Sequence, residues 1–354
     1  MIMSANAETV TQGVQGVHRV TLRFADDVEH RVEVAPGQSV LAAALAQGVP
    51  LISQCESGSC GTCVARVCDG DVRMNSKKQT ALLSSEREEG YRLTCQAFAE
   101  ADSVLELDYP STLGEQTPEQ SEAEITELEW LSSNVVRLAL TLPEDQTFEF
   151  WPGQYARLRI PGTEDWRSYS MSSAPGEAPR VEFLIRILES GAMSDYLRER
   201  AAVGDHIEVE GPHGAFYLRE PEGPLVMVAG GTGLAPMMAM LDTVRVQGSR
   251  APKTLLSFGC ATPDNLFHGD ELELRCFWMS KLEVRTSVDQ APEGYAGRIG
   301  TPVDALQAAD VAAPGTTAYL CGPPPMIEAA RARLIELGLP ADRIFAEQFT
   351  PSAE

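Results

Sequence analysis

A multidomain chain of α/β and β type is predicted by three textures that follow one another along the sequence. Residues 17–109 alternate short strands with a helix around a cysteine loop, a β-grasp pattern. Residues 123–222 are cut by Pro and Gly turns into short strands, the spacing of an antiparallel barrel. Residues 223–354 alternate continuous apolar runs with helices, as a doubly wound parallel α/β domain does.

The size of the chain agrees with this division. Its 354 residues suffice for two or three domains at ~100–200 residues each, and at 44% hydrophobic content each can bury a core. The formal net charge of -23 argues against nucleic acid and anionic membranes and favours partners that present basic surface. No apolar run approaches the ~20 residues that span a bilayer. The first residues have neither a basic segment nor an apolar core, so no signal peptide is expected and residues 1–16 read as a disordered end. Eight cysteines, four of them in one ligand pattern, do not resemble a disulfide scaffold. A cytoplasmic location is expected.

In the first domain, His18–Phe24 alternates, turns at Asp26-Asp27 and resumes at Arg31–Val34, which predicts a hairpin. Ser39 to Gly48 reads as a helix with Ser39 as N-cap and Gly48 as its stop. Next comes Cys55-Glu-Ser-Gly-Ser-Cys60-Gly-Thr-Cys63, then strands at Val64–Val67 and Ser103–Leu107 with Cys95 between them. C-x4-C-x2-C with one distant Cys is the ligand spacing of a plant-type [2Fe–2S] cluster. Three thiolates converge from one tight loop only where side chains are small and some φ angles are positive, and Gly58 and Gly61 meet both demands. Inward N–H groups of such a loop hydrogen-bond the anionic sulfurs. The rival is structural zinc, which takes two close Cys or Cys/His pairs, whereas only Cys60 and Cys63 form one here.

Residues 110–122 are expected to be an extended, solvated linker. Between 111 and 130 stand Glu115, Glu119, Glu122, Glu124, Glu127 and Glu129 with no base, and apolar residues are sparse before Ile125. Barrel strands follow at Val135–Leu142, Tyr155–Ile160, Val181–Leu188 and His206–Glu210, with one helix at Ser194–Ala202. Buried parallel strands are expected at Leu225–Ala229, Thr254–Phe258 and Thr317–Cys321, with helices at Pro236–Val246 and Met326–Leu337.

Four places in these two domains carry chemistry. Gly230-Gly231-Thr232-Gly233 lies on a strand–loop–helix junction, where backbone and helix N-terminus receive a pyrophosphate; Pro236 stands at the third glycine position. Arg167-Ser168-Tyr169-Ser170 offers an Arg for a phosphate, an aromatic for a flat ring and a hydroxyl for a ring nitrogen, as a flavin requires. Gly191-Ala-Met193-Ser194 opens the barrel helix and offers a second phosphate site, with an ordinary N-cap at Ser194 as the alternative. Cys321-Gly322-Pro323 ends an apolar strand, where open α/β sheets bind ligands. Cys68, Cys260 and Cys276 read as ordinary cysteines, and no histidine pair has ligand spacing.

Taken in order, Cys55/Cys60/Cys63/Cys95, Arg167–Ser170, Gly230–Gly233 and Cys321–Pro323 resemble the reductase components of bacterial multicomponent oxygenases, from about Val17 to Pro351. The resemblance implies a [2Fe–2S] ferredoxin domain fused to a ferredoxin–NADP reductase-like module, with an FAD-binding barrel and an NAD-binding domain. The benzoate dioxygenase reductase branch, which serves a Rieske oxygenase, shares the Arg-Ser-Tyr-Ser, Gly-x-Met-Ser and Tyr-Leu-Cys-Gly-Pro segments. The soluble methane monooxygenase reductase branch, which serves a di-iron hydroxylase, is similar further through Leu131–Asn134, Val181–Arg186, Ser194–Arg198, Asp304–Leu306 and Cys321–Pro324. The expectation is therefore a di-iron monooxygenase partner acting on a hydrocarbon; a Rieske dioxygenase and a cytochrome P450 are the alternatives. A redox sensor using the cysteines as a staple is a third class, for which no output domain remains.

The resemblance also assigns roles. Arg167 pairs with the FAD phosphate, Ser168 flanks it, Tyr169 packs on the flavin and Ser170 hydrogen-bonds near N5. Leu184, Ile185, Arg186, Gly191, Met193 and Ser194 belong to the FAD site, Ser194 at the pyrophosphate. Gly231, Thr232 and Gly233 hold the NADH pyrophosphate, while Cys321, Gly322 and Pro323 lie beside the nicotinamide. Glu347 is the acid near the flavin and Phe349 lies beside it; Gln348 replaces the basic residue usual after that acid. The implied order is NADH, FAD, [2Fe–2S], oxygenase, because a hydride carries two electrons and the cluster takes one at a time. No Arg or Lys lies between Lys253 and Arg275, and Asp264 stands where a ribose 2′-phosphate would be read, so NADH is expected over NADPH.

Overall fold

The computed structural model describes residues 16–75, 81–144, 146, 148–176 and 179–349, in two compact units that meet in sequence between Glu115 and Gln116. The expected disordered end falls, up to residue 15, outside the described residues.

In the first unit, β1 (His18–Arg23) and β2 (Glu29–Val34) form the expected hairpin, with Asp27 at φ 61° in its turn. Helix α1 (Val40–Ala46) begins where the Ser39 hydroxyl accepts from the Ala42 N–H at 3.2 Å. It buries Val40, Leu41, Ala43 and Ala44, and the sheet buries Val20, Leu22, Val32 and Val34. Then come β3 (Val64–Asp69), β4 (Val72–Met74), α2 (Ser84–Glu88), β5 (Tyr91–Leu93), β6 (Ala97–Ala99) and β7 (Ser103–Glu106). The main sheet has the order β2-β1-β7-β3-β5, with β1 and β7 parallel; β4 and β6 pair separately. Cys95 lies on a single 3-10 turn, Thr94–Gln96.

The segment 110–122 is not an extended tether. Residues Ser111–Gly114 close a helical turn, α3, whose Leu113 is only 2% exposed. Both the N–H and the hydroxyl of Ser111 donate to the Asp26 carboxylate, at 3.1 and 2.7 Å, and hold its pKa below the usual range. Strand β8 (Glu119–Ser132) then starts inside the expected linker. Ser121, Ala123 and Ile125 face inward while Glu122 and Glu124 face water. Two of those inward residues are small, so the alternation carries little hydrophobicity and hides the strand. Cutting the chain after Glu115 should give two pieces that each unfold cooperatively. Cutting before Ser111 removes Leu113 and should cost the first piece about 2 kcal/mol, read as a lower melting temperature.

The second unit begins with a barrel of β8, β9 (Val135–Thr141), β10 (Tyr155–Arg159), β11 (Trp166–Ser170), β12 (Arg180–Arg186) and β13 (His206–His213), with α4 (Ala192–Glu199) before β13. The sheet order is β11-β10-β13-β8-β9-β12, and a bridge between Met171 and Phe183 links its two ends. Leu138, Leu158 and Phe183 fill the interior, and α4 adds Met193, Tyr196 and Leu197. Arg167–Ser170, outside the strands expected from the sequence, is part of β11 and pairs with β10.

The remainder is a parallel sheet in the order β17-β16-β15-β14-β18-β19. Its elements are β14 (Leu225–Gly230), α5 (Leu234–Arg245), β15 (Thr254–Cys260), α6 (Gly269–Trp278), β16 (Leu282–Val288), β17 (Arg298–Ile299), α7 (Ala308–Val311), β18 (Thr317–Gly322), α8 (Pro324–Glu336) and β19 (Ile344–Gln348). Every residue of β15 and β18 is buried, as the unbroken apolar runs require. The chain leaves β14 toward β15 and later returns to its other side as β18. That reversal is the switch point at which such sheets open a ligand crevice.

Candidate functional site

The loop 55–63 takes an unusual backbone, and among the described residues no three of its potential ligands are gathered into a metal-binding group. Glu56, Gly58 and Gly61 have φ of 52°, 90° and 73°. A Cβ at Gly58 would also approach the Gln96 side chain to 3.0 Å. Three hydrogen bonds tie the loop to the Cys95 turn. The Thr94 N–H and hydroxyl donate to the Cys63 carbonyl at 2.8 and 3.2 Å, and the Gln96 amide donates to the Glu56 carbonyl at 3.2 Å. Cys63 and Cys95 are buried, while Cys55 and Cys60 are half-buried.

The four thiols stand as two pairs. The Cys60 N–H donates to the Cys55 sulfur at 3.3 Å. The neighbouring thiol is the main cause that holds the Cys55 pKa down and that of Cys60 up, and in the same way Cys63 is lowered and Cys95 raised. A two-iron cluster takes two thiolates at each iron, so two pairs fit its donor set.

In the second unit the chemistry gathers where β14, β18 and β19 end beside β11. Gly231 has φ 55° with nothing within 4 Å of a would-be Cβ, which leaves the backbone open to a phosphate. A Cβ at Gly233 would fall 2.1 Å from the Cys321 carbonyl oxygen, so that glycine lets α5 pack against β18. Thr232 lies between them on a 3-10 turn that leads into α5.

Cys321 is fully buried at the end of β18, in register with Glu347 on β19, and burial pushes its thiol well up. The Ser170 hydroxyl, at the end of β11, donates to Glu347 Oε2 at 2.8 Å. Burial raises the Glu347 pKa to about 7 against the opposing effect of that hydrogen bond. Three residues singled out separately in the sequence thus meet. Beyond them, Gly322 accepts from the Phe349 N–H at 3.0 Å and Pro323 caps α8.

The other expected residues spread around this centre. Along β11, Arg167 and Tyr169 alternate with Ser168 and Ser170, so the pattern covers both faces of the strand. Tyr169 packs partly on the barrel core, and burial raises its hydroxyl pKa. Leu184 and Ile185 are spent in two different cores, while Arg186 is exposed. The N-cap of α4 is Gly191, at φ 149°; Ser194 lies inside the helix and its hydroxyl accepts from the Leu188 N–H at 3.0 Å. That corrects the alternative of Ser194 as a cap. Met193 is core. Asp264 lies exposed on the 3-10 turn Pro263–Asn265 after β15.

Gln154 and Gly214 were not legible in the sequence. The Gln154 amide donates to the Gly214 carbonyl at 3.1 Å, and a Cβ at Gly214 would approach the Tyr155 ring to 2.9 Å and Glu347 to 3.8 Å. No short-range pattern marks either one.

A model of the 2Fe-2S iron-sulfur cluster binding domain matches residues 24–100. The oxidoreductase FAD-binding domain matches 122–217 and the oxidoreductase NAD-binding domain 227–332. The chain is 34% identical to the 2-halobenzoate 1,2-dioxygenase electron transfer component of Burkholderia cepacia, over 95% of this chain and 99% of that one. It is also 34% identical to the propane 2-monooxygenase reductase component of Mycolicibacterium goodii, over 92% and 96%. Among solved structures, a cytochrome P450 reductase of Amycolatopsis superposes with a TM-score of 0.68 at 29% identity, covering 94% of this chain and 100% of that one. Fold and site together define an oxidoreductase that uses a [2Fe–2S] cluster, FAD and NAD. The chain belongs to the family of electron transfer, or reductase, components of oxygenases. Among the described residues, no helix is long and apolar enough to cross a membrane.

Proposed function

We propose that this protein is the NADH-dependent reductase of a cytoplasmic multicomponent di-iron monooxygenase that acts on a hydrocarbon. The observation that carries the redox reading is the meeting of Ser170, Cys321 and Glu347 at the crevice between barrel and parallel sheet. FAD, when bound, accepts two electrons as a hydride and releases them singly toward the cluster.

The residues around the crevice supply position and charge. Arg167 pairs with an FAD phosphate, with Ser168 beside it, and Tyr169 gives the flavin an apolar wall. Gly191 and Ser194, at the start of α4, hold the pyrophosphate, and the stretch Leu184–Arg186 with Met193 shapes its surroundings. Ser170 would turn its hydroxyl from Glu347 to the flavin edge, with Glu347 beside it as the acceptor it leaves. Gly231, Thr232 and Gly233 receive the coenzyme pyrophosphate, and Asp264 takes the ribose hydroxyls while repelling a 2′-phosphate. Cys321, Gly322, Pro323 and Phe349 frame the space for the nicotinamide. Cys55, Cys60, Cys63 and Cys95 hold the cluster.

The di-iron partner is favoured by the segments shared with soluble methane monooxygenase reductases, Leu131–Asn134 and Asp304–Leu306 among them. Relatives named for dioxygenases and for monooxygenases stand at the same 34% identity, so the Rieske dioxygenase is the second reading, followed by a cytochrome P450. Within and after the thiol loop in sequence, Glu56, Asp69, Asp71, Glu88 and Glu89 are exposed, whereas Glu86 accepts from the Leu83 N–H at 2.9 Å. Such a surface steers a basic partner within about 8 Å at physiological ionic strength.

Stopped-flow reoxidation of the reduced protein by each kind of oxygenase tests both points. Reoxidation by a di-iron hydroxylase should be the fastest and should slow about tenfold from low to high salt, with hydride uptake from NADH unchanged. Faster reoxidation by a Rieske component removes the di-iron assignment, and a salt-independent rate removes steering.

A further inference from the structure

Leu131–Asn134, singled out in the sequence only as a stretch of similarity, spans the turn between β8 and β9. Val135 is buried in the core of the parallel-sheet domain, and Leu131 packs against that core. Ser133 at the tip reaches the turn that follows β15. Its N–H and hydroxyl both donate to the Asp264 carbonyl, at 3.5 and 3.3 Å. The Asn265 side-chain amide donates back to the Ser133 oxygen at 3.2 Å, and the Thr262 hydroxyl donates to Asn265 Oδ1 at 2.9 Å. The main chain of 262–265 is thereby fixed from the barrel side, while the Asp264 carboxylate stays exposed. On its other flank the β8–β9 turn accepts from the Ile187 N–H through the Asn134 carbonyl at 2.8 Å, one residue before Leu188 bonds Ser194.

We propose that Ser133 is a positioning residue for coenzyme selection. It holds the 262–265 turn so that the Asp264 carboxylate stays in the place the coenzyme ribose occupies, and so rests on the ribose role given to Asp264 above. A carboxylate discriminates against a 2′-phosphate only if the phosphate cannot push it aside. A turn fixed to a second domain resists that displacement; a turn fixed only by its own strand does not. Through Asn134 and Ile187 the same element adjoins the segment that opens α4, so the coenzyme turn is referenced to the flavin domain.

The test uses the full-length holoprotein with a dye that accepts electrons from the flavin, and NADH and NADPH as coenzymes. Ser133→Ala should raise the NADH KM about three- to tenfold, the loss of one or two hydrogen bonds, with kcat within about twofold of wild type. The NADH/NADPH ratio of kcat/KM should fall in proportion, FAD content and melting temperature should not change, and Ser133→Thr should restore the wild-type values. Asn265→Ala removes the opposite partner and should act in the same direction if Ser133→Ala does not fold. An unchanged KM and ratio in these variants overturns the proposal, as does a KM change that tracks lost FAD or a lowered melting temperature. Asp264→Asn separates the two readings. If it collapses the ratio while Ser133→Ala does not, the ribose role stands and positioning falls. If it leaves the ratio unmoved, the ribose role falls, and with it the proposal in the form stated.

Discussion

Replacing Cys60 with serine should abolish electron delivery to acceptors that draw on the cluster while NADH-dependent dye reduction continues near the wild-type rate. Cys60 is half of one thiol pair, and its N–H also bonds the sulfur of the other half at 3.3 Å. On the proposed ligand assignment the substitution removes one thiolate of that pair, while the backbone N–H of residue 60 is kept. Loss of an outer partner of a metal ligand costs roughly 10–100-fold in affinity or activity, and loss of a ligand should exceed that. The second unit is compact by itself, so FAD and hydride chemistry there should persist. Iron and sulfide analysis, visible absorbance and rates with two acceptors check each part. A normal iron and sulfide content in Cys60→Ser removes the ligand assignment.

Ser170→Ala should slow hydride transfer from NADH to the flavin by about 100-fold with FAD retained, the effect of removing one hydrogen-bond donor aimed at a reacting centre. The same change acts on Glu347. Burial holds the Glu347 pKa at about 7, and the Ser170 hydroxyl, which stabilises the ionised form, is the opposing effect. Without it the pKa rises further, so any inflection Glu347 gives to the pH profile moves to higher pH. The consequence for stability has a definite sign. A carboxyl whose pKa is raised by folding binds its proton more tightly when folded. Its contribution is complete below the ordinary value of 4.5 and is lost as pH rises through about 7. FAD-free protein should thus lose stability between pH 5 and pH 8 (about the window those two values bracket), and Glu347→Gln should flatten that slope. Thermal unfolding across pH checks this; identical slopes in the two proteins remove the raised pKa.

Much of the molecule is legible in short stretches of sequence. The turn of the cysteine loop is readable because Gly58 and Gly61, set among closely spaced cysteines between Cys55 and Cys63, mark positions of positive φ. The strands β14, β15 and β18 are readable because burial on both faces leaves no polar position to break the run. The Ser39 cap and the hairpin at Asp27 are local backbone chemistry. Strand β8 was hidden because its inward residues include Ser121 and Ala123, small enough to look like linker.

What only the tertiary structure decides is which distant residues meet. Ser170 and Glu347 are 177 residues apart, and Ser133 and Asn265 are 132 apart. No spacing rule links them, because their meeting depends on the β18–β19 register, on the reversal of chain direction at β14 and on the packing of the β8–β9 turn against the parallel-sheet domain. Local sequence sets backbone angles, caps and ligand loops through contacts a few residues long. Sheet register and core packing are collective, satisfied by the whole buried surface at once, and these set the geometry of the crevice.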